Sequence, residues 1–179
     1  MLAIIITIMV LEMKVPQGSD WAALRPLLPV FLSYVLSFVY LAIYWNNHHH
    51  LLKACRRANS SIMWSNMHLL FWLSLLPFVT GWMGGNHFAP LPTSLYGTVL
   101  LLAAIAYFVL QQTILADHGK DSKLASEFGK DWKGKLSMVA YLLGAILAFG
   151  SPLLANAIFV AIALMWLIPD RRIERVVSI

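Results

Sequence analysis

The chain has 179 residues, of which 60% are hydrophobic and only 12% charged, with a mean hydropathy of +0.73. A soluble domain carries about twice that charged fraction, so a water-covered globule is excluded. The formal charge of +5 is no nucleic-acid footprint, because the basic residues fall in the gaps between apolar runs, the pattern of membrane topology.

Six apolar runs follow one another: Met1 to Leu11, Leu27 to Trp45, Ile62 to Met83, Leu91 to Ala116, Leu136 to Phe149 and Leu153 to Ile168. They are continuous rather than alternating, so helices are expected and a barrel is not. In lipid every backbone N–H and C=O must be paired internally, which a helix does by itself. The fold class expected is all-α: a polytopic membrane protein with six transmembrane helices forming a single domain over residues 1–179. The second to fourth runs are long enough for a core of about 30 Å. The fifth spans it only if Trp132 and Lys133 begin the helix at the interface. Pro77 is expected to kink the third run, and Gly150-Ser151-Pro152 to make a tight hairpin between the last two.

The loops alternate in charge. Lys14 and Arg25 in the first are offset by Glu12 and Asp20, and Lys53, Arg56 and Arg57 occupy the second. None lies in Gly81 to Pro90, whereas Lys120, Lys123, Lys130, Lys133 and Lys135 fill the fourth, and Arg171, Arg172 and Arg175 the tail. The positive-inside rule puts the second and fourth loops and both termini in the cytoplasm. Trp21, Trp82, Trp132 and Trp166 fall near run ends, as interfacial tryptophans do. The single cysteine, Cys55, makes no intrachain disulfide and belongs to that reducing side.

The first run is short, about 17 Å as a helix. Met1 opens directly on apolar sequence, and Glu12-Met13-Lys14-Val15-Pro16 offers no cleavage site, which speaks against a signal peptide. A re-entrant piece is an alternative. The expectation is a first helix truncated at its N-terminus.

Ala3 to Pro16 resembles the first helix of the transmembrane protein 175 family, potassium channels of bacteria and lysosomes. Trp45-Asn46-Asn47-His48-His49 resembles its Trp-x-x-His-His. Trp64-Ser65-Asn66 with Ser74 to Thr80 resembles its third helix, and Ile168 to Glu174 its C-terminal end. The family's Arg-x-x-x-Phe-Ser-Asp-Gly-Val, which precedes the first helix, is absent here, and Met1 stands where its closing Val would be.

On its own terms, the first helix places Ile4, Thr7, Ile8 and Leu11 within about 100° of one another. Facing lipid or a neighbouring helix, that face is ordinary. Repeated around an axis, it makes an apolar constriction with a ring of hydroxyls, which can gate by dewetting and partly replace ion hydration. The resemblance implies the second use. Ile4, Ile8 and Leu11 would be the pore constriction, Thr7 the ion-selectivity position, and the assembly a homotetramer. It also implies a bracing network at the cytoplasmic end, with Trp45, His48, His49, Trp64 and Asn66 as its part here.

No Thr-Val-Gly-Tyr-Gly filter occurs; Leu95-Tyr96-Gly97-Thr98 is not one. His48-His49-His50 point about 100° apart on a helix and cannot all grip one metal ion. Asn156 and the Gln111-Gln112 pair are expected to hydrogen-bond between helices. The reading is a potassium-permeable cation channel subunit of a bacterial plasma membrane, embedded in the lipid bilayer. No metal site, no nucleic-acid partner, no enzyme activity and no cofactor beyond the permeant K+ are expected. The alternative is a secondary transporter or permease, which would want ionisable residues or broken helices at mid-membrane; only Pro77, Asn66 and Asn156 offer anything similar.

Overall fold

The computed structural model describes residues 2–53, 55, 59–118 and 131–167. Arg56, Arg57, Lys120, Lys123, Lys130 and the C-terminal tail lie outside them. The described residues are helical, with no strand among them. In chain order they form α1 (Leu2–Leu11), α2 (Trp21–Leu24), a 3-10 turn (Arg25–Leu27), α3 (Leu28–Lys53), α4 (Ser60–Ser74), α5 (Leu76–Gly85), α6 (Pro90–His118), α7 (Trp132–Leu147) and α8 (Pro152–Leu167). Three stretches are long and apolar enough to cross a membrane: Trp21–Lys53, Ser60–Gly85 and Pro90–Asp117. The protein is a multi-pass membrane protein.

Each apolar run is occupied by helix, with informative departures. α3 continues past Trp45 to Lys53, because a polar run ends hydropathy without ending a hydrogen-bond ladder. The third run divides at Leu75 into α4 and α5, with Pro77 in the first turn of α5. Proline lacks an N–H and clashes with the preceding turn, so the ladder restarts there. α7 begins at Trp132, capped by the Asp131 side chain, which accepts from Gly134 N. This lengthens the fifth run at its interfacial end. The α7–α8 hairpin is closed by Ser151 N donating to Leu147 O at 2.8 Å, with Pro152 opening α8. Asp20 caps the short α2 through Ala23 N.

Packing is close where side chains are small. Gly84 of α5 lies against Pro29, Val30 and Ser33 at the start of α3, where a Cβ would come within 2.7 Å of Val30 Cα. The Phe159 ring of α8 is seated between Gly97 of α6 and Gly144 of α7; a Cβ at either would approach it to 2.5 Å. Buried hydroxyls join the helices further: Ser37 Oγ is 2.7 Å from Thr80 Oγ1 and 3.0 Å from Tyr96 OH, and Tyr40 OH donates to Phe159 O at 2.6 Å. Such bonds satisfy polar groups that lipid cannot.

Among the described residues, neither Asn156 nor Gln111 makes the interhelical bond expected of it. Asn156 Nδ2 donates to Pro152 O of its own helix, and Asn156 Oδ1 is buried without a partner. Gln111 is buried with its Nε2 unpartnered, while Gln112 is exposed. A carbonyl four residues back is always in reach of a short amide side chain, so the local bond wins at Asn156.

Candidate pore helix and its bracing side chains

α1 packs against α3 and α5 through one side only. Ile5 and Met9 are 4% and 3% exposed and belong to the hydrophobic core. Ile4, Ile8 and Leu11 are 63%, 43% and 74% exposed, and Thr7 is exposed between them. At 100° per residue the two buried positions centre about 130° from the exposed group. The subunit therefore leaves uncovered the four residues singled out in the sequence.

Thr7 Oγ1 donates to Ala3 O at 2.8 Å. With its proton held inward by the helix, the hydroxyl oxygen presents only lone pairs outward. That is the polarity a cation meets favourably. Past Leu11 the helix closes with Glu12 N donating to Ile8 O at 3.1 Å and Met13 N to Val10 O at 3.1 Å. The Glu12 carboxylate lies over Gly81, with Oε2 3.9 Å from where a Cβ there would stand. This fixes the polarity of α1: its Leu11 end lies at the level of α5's second turn, toward the membrane face of the α5–α6 turn.

At the opposite face, the far end of α3 meets α4. His48 Nε2 is 2.6 Å from Asn66 Oδ1. A carbonyl oxygen only accepts, so His48 carries a proton on Nε2. Trp45 and His49, one helical turn apart, stack with ring centroids 5.4 Å apart and planes 8° from parallel. His50 Nδ1 is buried and unpartnered. Trp64 is 74% exposed and joins neither pair. The five residues expected to form one network thus form two pairs and an outlying tryptophan. No three His, Cys, Asp or Glu side chains converge among the described residues.

Sequence reasoning missed two neighbouring links. Ser65 Oγ and Thr113 Oγ1 are 3.2 Å apart, joining α4 to α6, and Asn59, the N-cap of α4, donates to Asp117 Oδ1 at 3.0 Å. The cap signature Asn59-Ser60-Ser61-Ile62 was visible in the chain; the long-range partners were not.

Comparison with known proteins gives a consistent result. Residues 1–77 match the profile of the family described as endosomal/lysosomal potassium channel TMEM175. A potassium channel of Chryseobacterium sp. strain P1-3 is 51% identical over 97% of this chain and 91% of its own length. A potassium channel of Streptomyces collinus is 28% identical over 60% of this chain and 56% of its own length. The crystal structure of a lysosomal potassium-selective channel TMEM175 homologue from Chamaesiphon minutus superposes with a TM-score of 0.79 at 24% identity, over 93% of this chain and 90% of that one. On the breadth and identity of these matches, the chain belongs to the TMEM175 potassium channel family.

Proposed function

We propose that this chain is the subunit of a potassium-permeable cation channel whose pore is lined by α1 of several copies. The observation that carries the reading is the uncovered face of α1: Ile4, Ile8 and Leu11 stand out while their neighbours Ile5 and Met9 are packed away. The sequence carries one six-run unit with no internal repeat, so a closed symmetric ring supplies the wall. A homotetramer brings four Ile4, four Ile8 and four Leu11 side chains together as hydrophobic rings. Four Thr7 oxygens form the one polar ring between them. An apolar constriction resists wetting and so resists ions, while the hydroxyl ring replaces part of the shed hydration shell. The permeant ion is the substrate, and no resident cofactor is required.

At the other end of the bundle, His48–Asn66 ties α3 to α4 and Trp45 stacks on His49 within α3, with Trp64 exposed on α4; these side chains brace the region that supports the pore helix. By the charge of its loops, this end faces the cytoplasm of a bacterial cell, together with both termini. The relatives' names favour a channel over the transporter reading.

The test is potassium flux from liposomes containing the purified protein. Passive flux with no coupled solute is expected, and flux that requires a co-transported solute contradicts it. Native mass spectrometry of the same sample is expected to give four copies per assembly.

A further inference from the structure

A second feature lies away from α1, between α3, α6, α7 and α8: a cavity of about 40 Å³ lined by aromatic rings and one carboxylate. Tyr44, Tyr107, Tyr141 and Trp166 supply the rings, Asn47 an amide and Asp131 the acid. Tyr141 is buried, while Asp131 is half-buried, at the end of the bundle where α7 begins. We propose that this cavity binds a primary ammonium group carried on a short alkyl stem. The proposal is independent of the pore.

The chemistry of the lining selects a cation. Aromatic faces carry negative potential and attract cations placed within about 6 Å. The chain itself illustrates this, because Lys133 Nζ stands 5.9 Å from the centroid of the Trp166 ring. Asp131 Oδ1 accepts from Gly134 N at 2.9 Å, which leaves the carboxylate acceptor capacity for a ligand. Tyr44 and Tyr107 make an edge-to-face pair, and neither hydroxyl is hydrogen-bonded among the described residues. Asn47 Nδ2 and the Ser137 hydroxyl, by contrast, are engaged with Ile43 O and with Lys133 O and Trp166 Nε1. Two phenolic oxygens and one carboxylate are thus three acceptors with capacity to spare. A primary ammonium has three N–H donors and no acceptor.

Size then narrows the class. At roughly 10–15 Å³ per water-sized atom, the space holds about three heavy atoms. A nitrogen and two methylenes fit. A trimethylammonium head, with four heavy atoms before its stem begins, does not. The required chemistry has two sources: the ethanolamine headgroup of a membrane lipid, reached from the interface beside Asp131, and a free aliphatic amine in solution.

The test uses the intact protein in bilayer discs, with Asp131→Asn as its charge-free counterpart. Asparagine is as good a helix cap as aspartate, so the variant keeps α7. One set of discs contains phosphatidylethanolamine in a phosphatidylcholine background. The other contains phosphatidylcholine alone, titrated with ethylamine or, at equal ionic strength, tetramethylammonium. Retained lipid is read by native mass spectrometry and amine binding by the shift of the thermal unfolding midpoint. Wild type is expected to bind the primary ammonium at least roughly tenfold more tightly than Asp131→Asn, the scale of one charge-assisted hydrogen bond. Phosphatidylethanolamine retention marks the lipid as the source; a response to ethylamine alone marks the free amine. Tyr107→Phe, which removes only a hydroxyl, is expected to weaken binding several-fold and carries the test if Asp131→Asn does not fold. Equal binding by wild type and both variants overturns the site, as does tetramethylammonium binding as tightly as ethylamine.

Discussion

Ile4 and Ile5 are adjacent in the chain and identical in chemistry, yet Ile4 is 63% exposed and Ile5 only 4%. The helical turn between them separates a face that the subunit covers from one that it leaves for something else. This difference predicts unequal stability effects. Ile5→Ala removes packed methylenes and leaves a hole, costing about 2–5 kcal/mol. Ile4→Ala removes contacts the subunit does not make and shifts its unfolding by less than about 0.5 kcal/mol. Denaturant unfolding of the detergent-solubilised subunit checks this; equal losses would mean that α1 packs through a different face.

The seating of Phe159 predicts a coupled pair. Gly144→Ala puts a Cβ about 2.5 Å from the ring and is expected to destabilise by about 1–3 kcal/mol through overpacking. Phe159→Leu in that background is expected to recover part of the loss, although alone it leaves a gap. A double-mutant cycle by thermal unfolding reads the coupling, and strict additivity would contradict the packing.

The His48–Asn66 contact at 2.6 Å predicts that Asn66→Leu destabilises the α3–α4 junction by about 1–3 kcal/mol, the cost of leaving a half-buried partner unsatisfied. Asn66→Asp keeps an acceptor and is expected to lose much less. Hydrogen exchange of amides at the start of α4 reports the difference. Indistinguishable protection in the two variants would remove the contact from the account.

Much of this architecture was legible in the chain. Helix positions followed from apolar runs, and the breaks just before Pro77 and Pro152 from a missing N–H. The 100° spacing grouped Ile4, Thr7, Ile8 and Leu11 on one face of α1, but in so uniformly apolar a helix it was the family resemblance that singled that face out. α3 outruns its apolar stretch because His48, His49 and His50 lower hydropathy while remaining good enough helix residues at an interface. The five residues of the expected bracing network could be named from the chain, but not which of them pair. Trp64 and Asn66 lie two residues apart on α4 and so point about 200° apart, and only Asn66 faces His48. The Ser37–Thr80–Tyr96 cluster joins residues distant in sequence, and no local pattern encodes which hydroxyls meet.

Orientation rests on loop charge, and the sole cysteine tests it. Cys55 follows α3 at the end of the bundle assigned to the cytoplasm. A membrane-impermeant maleimide is expected to label it in inside-out vesicles and not in intact cells. Labelling of intact cells would reverse the topology, and with it the direction in which α1 enters the pore.

The central claim is that the uncovered face of α1 is the ion path, and single-channel recording of Ile4→Asn beside wild type tests it most directly. An apolar ring holds ions back by excluding water, and a ring of amides at the same level stays wet. The account predicts higher open probability and a larger resting potassium current for Ile4→Asn, with Ile5→Asn failing to assemble rather than leaking. Currents unchanged by Ile4→Asn in channels that assemble normally would contradict it.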